Sequence, residues 1–276
     1  MSAVLSISSN MSSIQAVAES YKVFNPRAYL QNNYVPPRAD FSSEDSVMCW
    51  KLRRLHEACS KGEIKGHTLV DIGSGPTIYQ FLSAFEPFQE VILTDYLEVN
   101  RQELKMWLNN EHGVFDWSPY FEYVCKLEGK GESWKEKQKR LRERVSRVIP
   151  VDIHQSSPLG KEVVSGSIDC LVSSFCLEAC SPSLVAFHKA LENVVGLLKP
   201  QGHFLWIGAL EESYYLAGEA RLSVLPVTED MVKKALSKAK CVVREFSTYS
   251  MTPSMKVGVD DVSGIFFVWA QKDTPK

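Results

Sequence analysis

Along the chain the spacing of apolar positions changes repeatedly, and each change predicts an element. Between Asp45 and Cys59, residues Val47, Trp50, Leu52, Leu55 and Ala58 recur at helical spacing, with Lys51, Arg53 and Arg54 mostly off that face. A helix capped by Asp45 and stopped near Gly62 is expected there. After Gly66 the pattern shortens to β-branched runs: TLVDIG, a helix from about Thr77, EVILTD, then the amphipathic EVNRQELKMWLNN. The alternation continues through VIPVDI, IDCLVSSFC, a helix from Leu184 to Leu198 ending at Lys199-Pro200, HFLWIGAL, and a helix from Thr228 to Lys240. It closes with CVVREFSTY and GIFFVWAQK. Strand alternating with helix predicts an α/β fold on a doubly wound, Rossmann-like sheet, mostly parallel, with a C-terminal antiparallel strand in a terminal hairpin.

Three stretches fall outside this rhythm. Residues 1–20 are Ser-rich and lack Lys and Arg, which predicts a flexible tail and excludes a signal n-region or an Arg-rich transit peptide. From Tyr21 to Arg38, tyrosines interleaved with prolines and asparagines suit short helical turns and loops that cover something. Lys126 to Arg147 is charge-dense, but Glu128, Glu132, Glu136 and Glu143 are interleaved with the bases, as on a solvated helix. The expected organisation is one domain over residues 21–276, with residues 21–60 as a helical lid region and 66–276 as the core.

The 276 residues are 45% hydrophobic and 23% charged, enough apolar material for a large core. Lys+Arg of 31 against Asp+Glu of 33 leaves a net charge of -2, so no positive field draws in nucleic acid. No apolar run approaches the roughly 18 residues of a membrane span. Seven cysteines form an odd set without paired spacing, consistent with reduced thiols in the cytoplasm. Cys170, Cys176 and Cys180 sit on a strand and its following turn, which should point them in different directions, and no histidine stands at ligand spacing. No metal is expected.

The sharpest chemical signal is Asp71-Ile72-Gly73-Ser74-Gly75-Pro76 at the end of the first core strand, where glycines let the backbone turn tightly beside a ligand. A dinucleotide fingerprint needs a third glycine where Ile78 stands, and Pro76 removes an amide that a pyrophosphate would use. A nicotinamide-dependent oxidoreductase is thereby disfavoured. Asp71 adds negative charge at the loop mouth, which suits the methionine end of S-adenosylmethionine. Asp95 follows the glycines by about 20 residues, where an acid accepts ribose hydroxyls, and Asp152 beside Ile153 suits the adenine.

These residues carry a resemblance. Asn25 to Leu30 (NPRAYL), DIGSGPT, Asp95 to Leu104 (DYLEVNRQEL), Ser174 to Ala179 (SFCLEA), Gly208 to Arg221 (GALEESYYLAGEAR) and Gly258 to Val262 (GVDDV) resemble the small family of nicotinamide, phenylethanolamine and indolethylamine N-methyltransferases, from about Tyr21 to Lys272. The acids Glu212 and Asp260 fit its phenylethanolamine branch. The resemblance implies a class I methyltransferase sheet and methyl transfer from S-adenosyl-L-methionine to the amine of a small aromatic substrate, noradrenaline giving adrenaline. Another small amine, indolethylamine or nicotinamide, is the alternative. It implies cofactor contacts from Tyr21, Tyr29, Tyr34, Gly73, Ser74, Gly75, Thr77, Tyr79, Asp95, Asn100, Asp152, Ile153 and Ser174. The substrate is expected against Asn33, Arg38, Val47, Lys51, Phe175, Glu178, Glu212, Tyr215, Met251 and Asp260. Ser174 and Tyr96 depart from the alanine and phenylalanine expected at those positions.

The chemistry needs acids. An alkylammonium has no lone pair, so a carboxylate must bind it and take its proton. Glu178 is expected as that base, with Glu212 holding the nitrogen through water and Asp260 binding the amine and its neighbouring hydroxyl. Glu211 to Glu219 also reads as an ordinary acidic helix start, and Asp261 as a structural neighbour of Asp260. The partner expected is a small aromatic amine, with no nucleic acid or membrane, and a monomer.

Overall fold

The computed structural model describes residues 13–274. In chain order it contains α1 (Ser13–Ser20), α2 (Pro26–Asn33), α3 (Val47–Ser60), β1 (Thr68–Ile72), β2 (Glu90–Asp95), α4 (Glu98–Leu108), α5 (Ser118–Glu128) and α6 (Trp134–Arg144). There follow β3 (Val145–Pro150), β4 (Ile168–Ser174), α7 (Leu184–Gly196), β5 (Leu198–Leu210), β6 (Tyr214–Ala217), β7 (Ala220–Ser223), α8 (Glu229–Lys238), β8 (Cys241–Ser250) and β9 (Gly264–Lys272).

Seven strands form one sheet in the order β3-β2-β1-β4-β5-β9-β8. β1 is buried at all five positions, as a central parallel strand covered on both faces must be. Its side chains alternate between two cores. Leu69 joins the aromatic-rich core beneath α3 and α5, whereas Val70 and Ile72 join the core beneath α7 and α8, which mixes aliphatic residues with Phe187, Phe204, Trp206 and Phe266. β9 runs antiparallel between β5 and β8, so the expected C-terminal antiparallel strand is inserted rather than peripheral.

Several expectations change. The flexible tail is a helix from Ser13, because Ile14, Val17 and Ala18 make an apolar stripe at helical spacing; residues 1–12 of that expectation lie outside the described residues. Ser46, not Asp45, caps α3, its hydroxyl accepting from the Cys49 amide at 3.2 Å. No α-helix follows Thr77. Its hydroxyl donates to the Ser74 carbonyl at 2.8 Å, and the segment reduces to a 3₁₀ turn at Tyr79–Phe81. β3 begins earlier than expected and ends at Pro150, which leaves Asp152 and Ile153 beyond it. The strand after α7 begins at Leu198 and runs through Lys199 and Pro200. Glu211 to Glu219 is no helix start but leads into the β6–β7 hairpin.

The charge-dense stretch comprises the end of α5, all of α6 and the start of β3, and its outward face is only part of its role. Lys137 is 0% exposed and bridges Glu86 at 2.7 Å and Glu128 at 2.7 Å. Arg140 pairs with Glu132 at 2.6 Å. Glu86, Glu128 and Glu132 converge closely enough for an ion, but Lys130, Lys137 and Arg140 already neutralise them. Among the described residues no helix is long and apolar enough to cross a membrane.

Candidate active site

Ligands of doubly wound sheets bind beyond the carboxyl ends of the strands, where the strand order reverses. Here the reversal lies between β1 and β4, and the loops after β1, β2, β3 and β4 enclose a cavity there. Tyr21, Tyr29, Tyr34, Gly73, Ser74, Gly75, Thr77, Asp95, Asn100, Asp152, Ile153 and Ser174 all line it. Tyr79, expected in that set, lies behind the wall, fully buried and tilted against Tyr34 with ring centroids 5.5 Å apart.

The glycine loop shows why the residues are small. Gly73 has φ +67°, and a Cβ there would stand 2.3 Å from the Cys176 Sγ. The Gly75 amide donates to Asp95 Oδ2 at 2.8 Å, while Asp95 Oδ1 accepts from Leu97 N at 2.8 Å and Asn100 Nδ2 at 3.1 Å. Asp95 is thereby fixed at the end of β2, and burial pushes its carboxyl up. Asp152 is held by its own turn, accepting from His154 N at 3.0 Å and Gln155 Nε2 at 3.1 Å.

Asp71 corrects the sequence reading. It does not stand at the loop mouth but is fully buried behind it, accepting from Gln80 Nε2 at 2.7 Å. Burial raises it to about 7. It braces the loop rather than facing a ligand. Cys176 and Cys180 also differ from expectation: both thiols line this cavity, because the turn after β4 brings them round together. All seven cysteines are unpaired.

Ser174 Oγ and Asn100 Oδ1 line the cavity, buried and without hydrogen-bond partners among the described residues. Such atoms require a polar ligand or water. Val151, Ile153 and Leu97 offer an apolar slot beside them. A ligand with a flat base, a ribose and a polar amino-acid end fits this donor set, as S-adenosylmethionine has.

A second cavity adjoins the first and contains all ten expected substrate residues: Asn33, Arg38, Val47, Lys51, Phe175, Glu178, Glu212, Tyr215, Met251 and Asp260. Tyr29, Tyr34, Phe175, Ala179 and Tyr215 line both cavities and form the passage between them. Phe175 occupies it with φ 55°, an uncommon conformation for a non-glycine residue, just beyond the end of β4.

Three carboxylates and two cations meet here. Asp260 and Arg38 form a bidentate ion pair at 2.5 and 2.9 Å, and Arg38 also donates to Asn33 Oδ1 at 2.7 Å and Met255 O at 3.0 Å. Asp261 points elsewhere and accepts from Ser213 N at 2.8 Å. Glu178 is 1% exposed; Oε1 accepts from Ala209 N at 2.8 Å while Oε2 has no partner. Burial lifts Glu178 to about 7. Glu212 stands well above the usual carboxylate range, through burial first and then the negative neighbours Asp260 and Glu178. Lys51 lies 4.6, 5.1 and 5.4 Å from the ring centres of Tyr79, Phe175 and Tyr34. Burial, aided by Arg38, lowers it to about 7.

Sequence reasoning missed several lining residues. Ile14, Val17 and Ala18 close the first cavity from α1, and their helical spacing was the available signal. His154 follows Ile153 into the same wall, with Nε2 2.9 Å from the Cys180 carbonyl. Ala209, Val262 and Ile265 complete the second cavity, and nothing in a strand-core pattern distinguishes such positions.

Comparison with known proteins bears on this geometry. The model of the NNMT/PNMT/TEMT family matches residues 12–273. Phenylethanolamine N-methyltransferase of Macaca mulatta is 56% identical over 262 residues, spanning 93% of this chain and 92% of that protein. The Homo sapiens enzyme of the same name is 54% identical, with 93% and 92% covered. Nicotinamide N-methyltransferase of Homo sapiens is 40% identical, with 90% and 93% covered. A SAM-dependent methyltransferase structure from Methanosarcina mazei shares the fold, with TM-score 0.54 at 13% identity over 78% of this chain and 97% of that one.

Proposed function

Because the chain belongs to the NNMT/PNMT/TEMT family, we propose that it transfers the methyl group of S-adenosyl-L-methionine to the amine nitrogen of a phenylethanolamine, noradrenaline becoming adrenaline, with S-adenosyl-L-homocysteine as product. The observation that carries this reading is the convergence of Glu178, Glu212 and Asp260 on one cavity beside the glycine-loop cavity.

When bound, the cofactor supplies an electrophilic methyl group on a sulfonium. Gly73, Ser74, Gly75, Asp95, Asn100, Asp152 and Ser174 would hold it from the strand ends, and Tyr21, Tyr29 and Tyr34 would cover it. An alkylamine resembles lysine, with a pKa of about 10.4, so roughly one molecule in a thousand is neutral at neutral pH. Supplying that form from bulk water costs about 4 kcal/mol. The acidic wall first selects the cation. Glu178, with Oε2 unpartnered and its pKa raised to about 7, then takes the proton that blocks the lone pair. Glu212 stabilises the ammonium on the way in, through water.

Asp260, with both oxygens clamped by Arg38, would accept the amine and its neighbouring hydroxyl through its remaining lone pairs. Phe175 and Asn33 flank the aromatic ring. Alignment and exclusion of water supply the rest of the rate. The unpaired thiols support a cytoplasmic location, and the likeness to phenylethanolamine N-methyltransferases supports a place in catecholamine biosynthesis.

The ring nitrogen of nicotinamide carries no proton to remove, so the acidic set argues for an alkylamine. Turnover of phenylethanolamine, noradrenaline, tryptamine and nicotinamide with methyl-labelled cofactor tests this. Labelling of the first two above the others is expected; preferential labelling of nicotinamide overturns the reading.

A further inference from the structure

The covering segment and the β6–β7 hairpin pack against each other, while Arg27 fastens the segment to Glu103 of α4 at 2.7 Å and to the Gly113 carbonyl at 2.6 Å. Phe24, Ala217, Ala220 and Leu222 form a small apolar cluster separate from the two cores that flank the sheet, with Tyr21, Tyr29 and Tyr215 packed against it. Polar links fasten the same two pieces. Asn32 Nδ2, at the end of α2, donates to the Leu216 carbonyl in β6 at 3.0 Å. The Tyr215 hydroxyl donates to the Tyr21 hydroxyl at 3.0 Å, which in turn donates to the Ala179 carbonyl at 3.3 Å. At the hairpin turn, Gly218 has φ +72°, and a Cβ there would stand 3.2 Å from the Asn25 Cβ.

One end of this pair closes the first cavity and the other walls the second. Tyr21 and Phe24 line only the first, whereas Tyr215 lines both and is bridged to Asp260 across the backbone. The Leu216 amide donates to the Val259 carbonyl at 2.7 Å, which ties the hairpin to the strand segment carrying Asp260. Asn32 lines neither cavity.

We infer that the segment from Tyr21 to Asn33 and the β6–β7 hairpin act as a single jaw, and that Asn32 is a positioning residue whose bond to Leu216 makes cofactor binding and amine binding reinforce each other. Two ligands that each favour the closed jaw must raise one another's affinity by the same factor. The two cavities also share Tyr29, Tyr34, Phe175, Ala179 and Tyr215, so ligands in them can couple by direct contact, but coupling of that kind would survive loss of the Asn32 bond. The inference rests on the assignment of the two cavities given above.

The test is calorimetric titration of S-adenosylhomocysteine into the full chain, with and without saturating phenylethanolamine. The amine should tighten S-adenosylhomocysteine at least about fivefold, the lower end of usual coupling. In Asn32→Ala and in the isosteric Asn32→Asp, the factor should fall below about twofold, with S-adenosylhomocysteine still binding and the melting temperature near the parent's. Asn32→Gln, which keeps a donor, should recover part of it. Because Asn32→Asp preserves shape, a folding defect in Asn32→Ala leaves the comparison intact. Undiminished coupling in both variants overturns the inference. So does an unmodified protein that binds both ligands without coupling. No S-adenosylhomocysteine binding at all removes the cavity assignment itself, and the jaw coupling falls with it.

Discussion

Replacing Glu178 with glutamine separates its chemical role from its cost to the fold. In the unfolded chain its carboxyl titrates at 4.5, and in the folded protein burial lifts it to about 7. Between those values the folded form holds the proton and the unfolded form does not. The protein therefore loses stability as pH rises through that window, by about 1.4 kcal/mol per pH unit from this group, and the loss is complete above about 7. The gap amounts to about 3 kcal/mol. Glu178→Gln removes the ionisation, and its oxygen can still accept from the Ala209 amide.

Urea denaturation at pH 5, 6, 7 and 8 should show the variant near the parent at pH 5 and more stable by about 3 kcal/mol at pH 8. Over the same series, kcat should fall by about 10² to 10⁴-fold, the range of a lost general base. The parent's rise in rate with pH near 7 should vanish. A variant with unchanged kcat refutes the base assignment; a stability difference that does not grow with pH refutes the electrostatic account of Glu178.

Other outcomes follow from the same structure. Asp260→Ala leaves Arg38 charged and buried without its partner, so stability should drop by about 3–5 kcal/mol in chemical denaturation, with the KM for the amine rising. Gly73→Ala sets a Cβ against Cys176 and forces an unfavourable φ, so affinity for S-adenosylhomocysteine should collapse, and adding Cys176→Gly should restore part of it. Lys137→Met leaves the largely buried Glu128 side chain without its ion-pair partner, while Glu86 keeps Lys130 and Arg140, and should cost about 3–5 kcal/mol in denaturation while sparing kcat. Against the upward push of burial, the Lys137 and Lys130 hydrogen bonds hold Glu86 at about 2. The acid limb of the stability profile between 4.5 and 2 should therefore flatten in that variant.

The second cavity has an electrostatic logic. With all carboxylates ionised, Glu178, Glu212 and Asp260 face Arg38 and Lys51, and burial raises the two glutamates and lowers the lysine. Each of these groups moves toward its neutral form because water is excluded. In the proposed reading, an ammonium entering the cavity would favour the ionised forms of the two glutamates, because a cation beside a buried carboxyl lowers its pKa. Selection of a cation and readiness to remove its proton thus have one cause.

Much of the molecule was legible from local pattern. β1, β2, β4 and β9 lie close to where their runs of β-branched and aromatic residues predicted them, because a strand covered on both faces must be apolar along its length, and the edge strand β8, largely exposed, was marked by residues of the same kinds. Helix α8 begins after Thr228, as its cap residue requires. The cofactor-side loop was legible too, since a glycine pair after a strand has few other uses. What local pattern concealed were elements whose form depends on distant partners. The β6–β7 hairpin exists against Asn32 and Val259, and the segment after Thr77 abandons helix because Gln80 is drawn to the buried Asp71.

The sequence determined which chemical groups are present and roughly on which strand ends they stand, because strand order and side-chain alternation are written in the run of apolar residues. Tertiary structure alone decided their states. It turned Asp71 from a ligand-facing charge into an internal brace, locked Asp260 to Arg38, and left Glu178 with an unpartnered oxygen. Burial and partners on other elements set those properties: Arg38 reaches Asp260 across 222 positions and Ala209 reaches Glu178 across 31, while even Gln80, nine residues from Asp71, meets it only because the chain folds back over the strand end.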